Sequence, residues 1–388
     1  MQINSNYNFI NTKKNLEIFL AGLGSSGTLS IDTESSGYYA YFSKVCLIQI
    51  TSNGKNYILD PLQGFDLSGL GEVFESKSFL KIFHSASDDI KALKKDFGFS
   101  FQNIADTLYS SKLLNMEHNS LNYLVEKYHH VKLSKTEQKS NWEKRPLQEN
   151  QLTYAVLDTA YLESIWNQIC STLTRNNLIE EANSEFEKIA KEEPKLKEPN
   201  PIQWQKFPEI VHYLPIERRN ILDILEFREE KAKRLNRAPF RILNNESIAK
   251  IVKNKNDKNF VIGIAGNKYG TEILKILHEP KGEPLEKIHA SKDIPELSEE
   301  EEKNFQLLKM WRMKLMNIRN MDHSIAPSNK NLVLLAKTSP KTIQEIESTG
   351  LFSEWKKIRY APSILAALNN ENYDNFIKDL PILPAREK

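Results

Sequence analysis

Cysteine is almost missing from this chain: 388 residues hold two, Cys46 and Cys170. Neither has C-x-x-C or metal-ligand spacing, so no disulfide framework is implied and a reducing compartment fits. No apolar run approaches the roughly 20 residues that span a bilayer. The opening stretch MQINSNYNFINTKKNL lacks the apolar core of a secretory leader. A cytoplasmic protein with no membrane partner is expected. No G-x-x-x-x-G-K-[ST] loop occurs, which argues against a built-in ATPase motor. Excess charge is missing too: 53 Lys plus Arg stand against 51 Asp plus Glu, a net +2. Any nucleic-acid binding must come from a local patch or a metal-charged cleft rather than from overall charge.

One apparent motif dissolves on inspection. GLGSSG at 22–27 spells G-x-G-x-x-G. A dinucleotide site needs a strand before that text and a helix after it. Here the amphipathic NLEIFLAGL precedes and the strand-like TLSID follows, so a helix-to-strand turn and no nucleotide cofactor are expected.

What is present suffices for two or three buried cores, since 40% of residues are hydrophobic. TLSID, the β-branched run VCLIQI and NYILD read as three antiparallel strands with short connections. FLKIFHS reads as a fourth strand. SDDIKALKKDFG then reads as a helix closed by Gly98. NIADT is a fifth strand, and mostly helix follows, including one long helix across ENQLTYAVLDTAYLESIWNQICSTLTRN. Strands first and helices later suit a mixed sheet flanked by helices. From about 176 the text turns charged and ends in prolines, a helix running into a linker. After 200 no strand-like alternation appears, and two helical units of similar size suggest a diverged tandem pair.

Five residues in the first 160 form a constellation. Asp32 and Glu34 are two apart on a predicted strand and so share a face. Tyr154 and Asp158 are four apart on a predicted helix and share a face as well. Asp89 falls near the start of the helix after FLKIFHS, with Asp88 as a competitor. Alone, each fragment also fits a solvated strand end, an amphipathic helix or a first-turn acid. Together they could hold hard divalent cations, which prefer carboxylate oxygens, with a phenol beside them.

Order and spacing resemble the DEDD exonuclease superfamily in all three motifs: D-x-E at Asp32 to Glu34, H-x-x-x-x-D at His84 to Asp89, and Y-x-x-x-D at Tyr154 to Asp158. The tyrosine is similar to the y-subgroup, and the strings IDTESSGYYAYFSKVCLIQI, ADTL and LSKTEQKSNWEKRPLQENQLTYAVLDTAYL resemble ribonuclease D over roughly residues 8–170. The resemblance implies a ribonuclease H-like α/β exonuclease domain and selects Asp89 over Asp88. It implies two divalent ions, Mg²⁺ or Mn²⁺, held by Asp32, Glu34, Asp89 and Asp158, with Tyr154 orienting the attacking water. It implies release of nucleoside 5′-monophosphates from RNA 3′ ends, with tRNA precursors as substrates. Lys135, Thr33 and His84 are candidate substrate contacts, though Lys135 also reads as a surface lysine and His84 as structural. Trp142 and the RPL at 145–147 read as packing for the third-motif helix.

The span ILDILEFREEKAKRLNRAPFRILNN collects Arg228, Lys231, Lys233, Arg234, Arg237 and Arg241. A solvated helix face is the ordinary reading of such a run. Its R-x-x-K-A-x-x-x-N-x-x-P-F-R-x-L text resembles the helicase-and-RNase-D C-terminal (HRDC) module, with Ala238 where a second proline is usual. That makes Arg234, Arg237 and Arg241 candidate nucleic-acid contacts. Ile325-Ala326-Pro327 and NLVLLA look like a second, diverged copy. The expected domains are 1–180 exonuclease, 181–202 charged linker, 203–285 HRDC-like, 286–299 acidic linker and 300–388 second HRDC-like, both of the latter all-α bundles. The resemblance implies their arrangement as a ring around a single-stranded 3′ end. A DNA exonuclease, or a non-catalytic RNA-binding protein on the same fold, are the alternatives; loss of any carboxylate would favour the second, and all four are present.

Overall fold

The run VCLIQITS has no side suited to water. In the computed structural model, which describes residues 6–134, 136–194, 202–286 and 297–386, strand β3 (Val45–Ser52) is buried at every position. A strand covered on both faces belongs inside a sheet. The sheet has six strands in the order β1 (Tyr7–Ile10), β4 (Lys55–Leu59), β3, β2 (Gly27–Ser35), β5 (Phe79–Phe83), β6 (Ile104–Asp106). β2, β3 and β4 are antiparallel neighbours as expected. The β3–β4 hairpin turns on Asn53 and Gly54, both at positive φ (50° and 71°), the chemistry a two-residue hairpin needs. β1, β5 and β6 run parallel to β4, β2 and β5. β1 was not anticipated: it is a four-residue edge strand, Tyr7–Ile10, too short to show a clear alternation.

Helices α1 (Lys13–Gly22), α2 (Ser68–Glu75), α3 (Ala86–Phe97), α4 (Thr107–Leu113), α5 (Leu121–His129), α6 (Glu149–Ala160) and α7 (Leu162–Arg175) flank the sheet. α1 ends at Gly22 and β2 begins at Gly27, the helix-to-strand turn expected of GLGSSG. Gly98 closes α3 at φ 70°. The single long helix expected from residue 149 is two helices. Tyr161 (φ −103°, ψ −12°) ends α6 and begins α7, and α6 then lies against β2, β3 and β4.

The chain forms two compact units, one of residues 1–35, 45–194 and 296–388, the other of 36–44 and 195–295. In the first unit α8 (Ile179–Ala190) runs across 181–190, where a linker was expected, because its charges have partners. Glu181 is buried against Arg319, Glu185 pairs with Lys356 at 3.1 Å, and the Ser184 hydroxyl accepts from the Trp355 N–H at 2.8 Å. The C-terminal helices α13 (Glu299–Arg319), α14 (Asn329–Thr338), α15 (Ile343–Ser348), α16 (Glu354–Leu368) and α17 (Asp374–Ile377) complete that unit. Residues 195–201 of the first expected linker, 181–202, and 287–296 of the second, 286–299, lie outside the described residues.

The second unit is built of α9 (Pro215–Leu235), α10 (Pro239–Ile242), α11 (Asn245–Lys253) and α12 (Lys258–His278), around a core that includes Ile221, Ile224, Ile248, Ile251, Val261 and Ile273. Its internal contacts recur in α13–α14 at matching positions. Glu217 and Glu301 each reach back to the N–H before the helix. Arg228 donates to Leu243 O and Asn245 Oδ1, and Arg312 to Pro327 O and Asn329 Oδ1. Asn236 (φ 46°) and Asn320 (φ 52°) close the two long helices in the left-handed region. The two helical segments thus share a set of polar contacts at matching positions.

Candidate active site

The alternation of β2 places Asp32 and Glu34 on one face of the sheet, the face on which α6 lies. α6 brings Asp158 to them and Tyr154 one turn away. Asp32, Glu34 and Asp158 each offer a carboxylate oxygen, and these oxygens all lie within 4.8 Å of one another. Asp89 comes from α3 and stands outside that trio. The Thr33 hydroxyl donates to Asp89 Oδ1 at 2.5 Å. Thr33, a candidate substrate contact by sequence, is thus engaged with a carboxylate of the site.

Asp106 sets where α3 begins. Its Oδ1 accepts the Ser85 N–H at 3.1 Å and its Oδ2 the Ala86 N–H at 2.9 Å, holding Ser85 at φ 73°. The same carboxylate caps α4 through the Leu108 and Tyr109 N–H groups at 2.8 and 3.1 Å. Sequence reading used ADTL only as matching text. The signal for Asp106 was its place before a helix, where aspartate is a preferred N-cap. His84 Nδ1 lies 3.0 Å from the Thr107 hydroxyl, and burial pushes its imidazole below the usual range, so it sits in the frame of the site.

Four carboxylates gather with no opposite charge: among the described residues no ion pair reaches Asp32, Glu34, Asp89 or Asp158. Burial, and then repulsion from neighbouring carboxylates, hold Asp32, Glu34 and Asp89 above the ordinary carboxylate range. Burial raises Asp158 as well, while a hydrogen bond from Tyr154 works in the opposite direction. Burial and the surrounding negative charge also raise the Tyr154 phenol, which therefore stays protonated and donates. All-oxygen donor sets of this kind suit Mg²⁺ or Mn²⁺. A second observation points the same way. Gln49, directly opposite Asp32 on β3, is fully buried and its carboxamide N and O have no partner among the described residues. An unpaired buried amide is costly unless a bound ion or its waters satisfy it. The residues fit a divalent cation site.

Trp142 is fully buried with Leu47, Ala155 and Val156, in the packing role expected of it. Arg145 clamps that segment, donating to both oxygens of Asp60 at 2.7 Å and to the Cys46 and Trp142 carbonyls. Lys135 lies outside the described residues. Arg234 and Arg237 are exposed on the second unit. Arg241 is engaged: its Nε donates to Tyr38 O at 2.9 Å and its guanidinium lies 3.6 Å from the Tyr39 ring centre.

Residues 7–174 match a family model described as 3′–5′ exonuclease, and residues 301–368 match the HRDC domain. The HRDC match falls on the last helical segment, whose text was the more diverged. The chain is similar to the exosome complex exonuclease RRP6 of Saccharomyces cerevisiae, 29% identical over 259 residues, covering 63% of this chain and 35% of that protein. It is similar to ribonuclease D of Desulfotalea psychrophila, 28% identical over 258 residues, covering 63% of this chain and 66% of that one. It thus spans about a third of the yeast relative's length. Among solved structures, Escherichia coli ribonuclease D, described as an exoribonuclease involved in structured RNA processing, aligns with a TM-score of 0.62 at 19% identity, covering 94% of this chain and 99% of that one. That likeness concerns the fold.

Proposed function

From a chain that carries a 3′–5′ exonuclease domain and an HRDC domain, and that is homologous to ribonuclease D and RRP6, we propose a metal-dependent 3′→5′ exoribonuclease that releases nucleoside 5′-monophosphates. The observation that carries the reading is the meeting of Asp32, Glu34 and Asp158 within 4.8 Å beside a protonated Tyr154. Asp32, Glu34 and Asp158 would hold one divalent cation, and Asp32 with Asp89 a second. Such cations supply Lewis-acid stabilisation of charge on the attacking and leaving oxygens of an in-line displacement.

The protein's own groups position the reaction. The Tyr154 hydroxyl keeps its proton and orients the attacking water. Thr33 holds Asp89, and Asp106 holds the helix that carries it. Water oxygen bonds to the terminal phosphorus, the bond from phosphorus to the 3′-oxygen breaks, and that oxygen leaves as the 3′-hydroxyl of the shortened chain. The substrates proposed are 3′ trailers of structured RNA, tRNA precursors among them. Residues 203–285 are proposed as a further HRDC-like copy, supported by the polar contacts they share with α13–α14, and its exposed Arg234 and Arg237 as phosphate contacts that add affinity without reading sequence.

The test is a time course on end-labelled tRNA with a short 3′ trailer, beside single-stranded DNA of equal overhang, with Mg²⁺, with Mn²⁺ and with chelator. Metal-dependent mononucleotide release from the RNA 3′ end, stopping near the tRNA body, is expected. Faster trimming of the DNA would overturn the substrate class. Binding without cleavage would overturn the activity.

A further inference from the structure

The loop that leaves β2 directly after the active-site residues belongs to the second unit, and it carries aromatic rings into it. Residues 36–44 are pinned by the Ala238 N–H on Tyr39 O at 2.8 Å, by the Phe42 N–H on Asn236 Oδ1 at 2.9 Å, and by the Tyr41 hydroxyl on Glu229 Oε1 at 2.5 Å. These contacts account for the docking of the loop. They do not account for Tyr38 and Phe240. Those two rings lie 5.1 Å apart, centre to centre, and stay 40% and 43% exposed. Arg241 backs both, its guanidinium 5.0 Å from the Tyr38 ring centre and 5.6 Å from that of Phe240. Lys233, Arg234 and Arg237, in the segment just before Phe240, are exposed.

Half-open aromatic rings with an arginine against them and cations nearby are the equipment of single-strand binding: bases stack on the rings and phosphates meet the charges. Chain connectivity says which part of a strand would meet them. Tyr38 is four residues from Glu34, so its Cα stays within about 14 Å of Glu34's. That limit is at most about four stacked nucleotides at roughly 3.4 Å each. Resting on the exonuclease reading above, we propose that Tyr38 and Phe240, backed by Arg241, form a stacking subsite for unpaired bases of the substrate a few nucleotides upstream of the bond being cut. The subsite is assembled from both partners of the loop docking and is blind to base identity, because every base has a π-face.

The experiment compares the full chain with Tyr38→Ala/Phe240→Ala on a long unstructured RNA and on a dinucleotide, which carries no base beyond the pair at the bond being cut. KM on the long RNA should rise roughly 5- to 100-fold, with kcat unchanged, while dinucleotide cleavage stays at wild-type rate. The salt dependence of long-RNA affinity should keep its slope, because no phosphate contact is removed. Tyr38→Trp/Phe240→Tyr, which retains the π-faces, should keep wild-type KM. If the alanine pair fails to fold, Tyr38→Leu/Phe240→Leu keeps the apolar bulk and should still raise KM. An unchanged KM on long RNA, or an equal loss on the dinucleotide, would overturn the subsite. To separate this from failure of the activity itself, binding is read on Asp32→Asn chains by quenching of 2-aminopurine placed a few nucleotides from the RNA 3′ end. Loss of quenching with the alanine pair supports the subsite even if no substrate is cut, and retained quenching overturns it.

Discussion

The ion pair between Glu181 and Arg319 offers the sharpest energetic test of how the C-terminal bundle is held to the exonuclease fold. Both side chains are out of water, at 1% and 0% exposure. The guanidinium donates to Glu181 Oε1 at 3.1 Å and Oε2 at 2.5 Å, to Pro381 O at 2.9 Å, and to the Tyr360 hydroxyl. It also lies 5.2 Å from the Trp355 ring centre. Glu181→Leu leaves a buried cation without a counter-charge, and Arg319→Met leaves a buried carboxylate. Each should cost about 3–5 kcal/mol. Glu181→Leu/Arg319→Met removes both charges and refills the space with apolar atoms. It should sit within about 2 kcal/mol of wild type, a recovery of several kcal/mol against the sum of the single losses. Urea unfolding of the full chain, followed by tryptophan fluorescence, measures the cycle through Trp311 and Trp355, which belong to this bundle. If the double variant loses the sum of the single losses, to within about 0.5 kcal/mol, the pair is not coupled and the reasoning is refuted.

Asp32→Asn should abolish metal-dependent cleavage while RNA binding by filter assay stays within a fewfold; retained turnover would sink the metal assignment. Thr33→Val removes the hydrogen bond to Asp89 and should weaken activating-metal affinity by about 10-fold or more, with Thr33→Ser restoring it; equal metal titrations for all three chains would refute that role. The clustered carboxylates of Asp32, Glu34, Asp89 and Asp158 have folded pKa values raised above their unfolded ones, so the metal-free protein loses stability as pH rises from about 4 toward neutrality. Added Mg²⁺ should therefore raise Tm more at pH 8 than at pH 5, adding about 2.7 kcal/mol of stability wherever it stands at a hundredfold excess over Kd, and a pH-independent Tm shift would contradict it. For Asp60, burial alone would raise the carboxyl, but hydrogen bonds from Arg145 and Gln63 bring it below the usual range. Its contribution is present above pH of about 4 and lost as pH falls through the folded value. Asp60→Asn should cost roughly 2–3 kcal/mol at pH 7, with the gap to wild type closing in acid; a gap that stays constant down to pH of about 3 would count against the Arg145 clamp.

Much of the site was legible because its residues obey local periodicities. A strand turns alternate residues to one side, so Asp32 and Glu34 had to share a face wherever β2 went. A helix does the same for Tyr154 and Asp158 at four residues' spacing. Asp89 was harder, since Asp88 stood beside it in the same first turn. Thr33, between the two strand acids, points away from them by that same alternation. Its partner is Asp89, 56 residues on, a pairing no spacing rule announces. Gln49 looked like one polar residue in an apolar strand until the β2–β3 register set it opposite Asp32.

By itself the sequence determined the elements and their faces: β-branched runs made the strands, Gly98 and Asn236 ended helices, and the acids fell in the order the site requires. Those outcomes depend on interactions within a few residues, which a linear text displays. Only the tertiary structure decided where charged surfaces went. The charged stretch at 181–202 reads as a linker, yet Glu181 is buried because Arg319, far along the chain, arrives to meet it. Residues 36–44 read as one of the short connections between strands, yet they dock with α9 and α10 because Asn236, Ala238 and Arg241 hold the loop's backbone and rings. A charge or an aromatic ring on the surface of one element carries no mark of its distant partner. Its burial is settled only when desolvation is offset by a contact that the whole fold brings within reach.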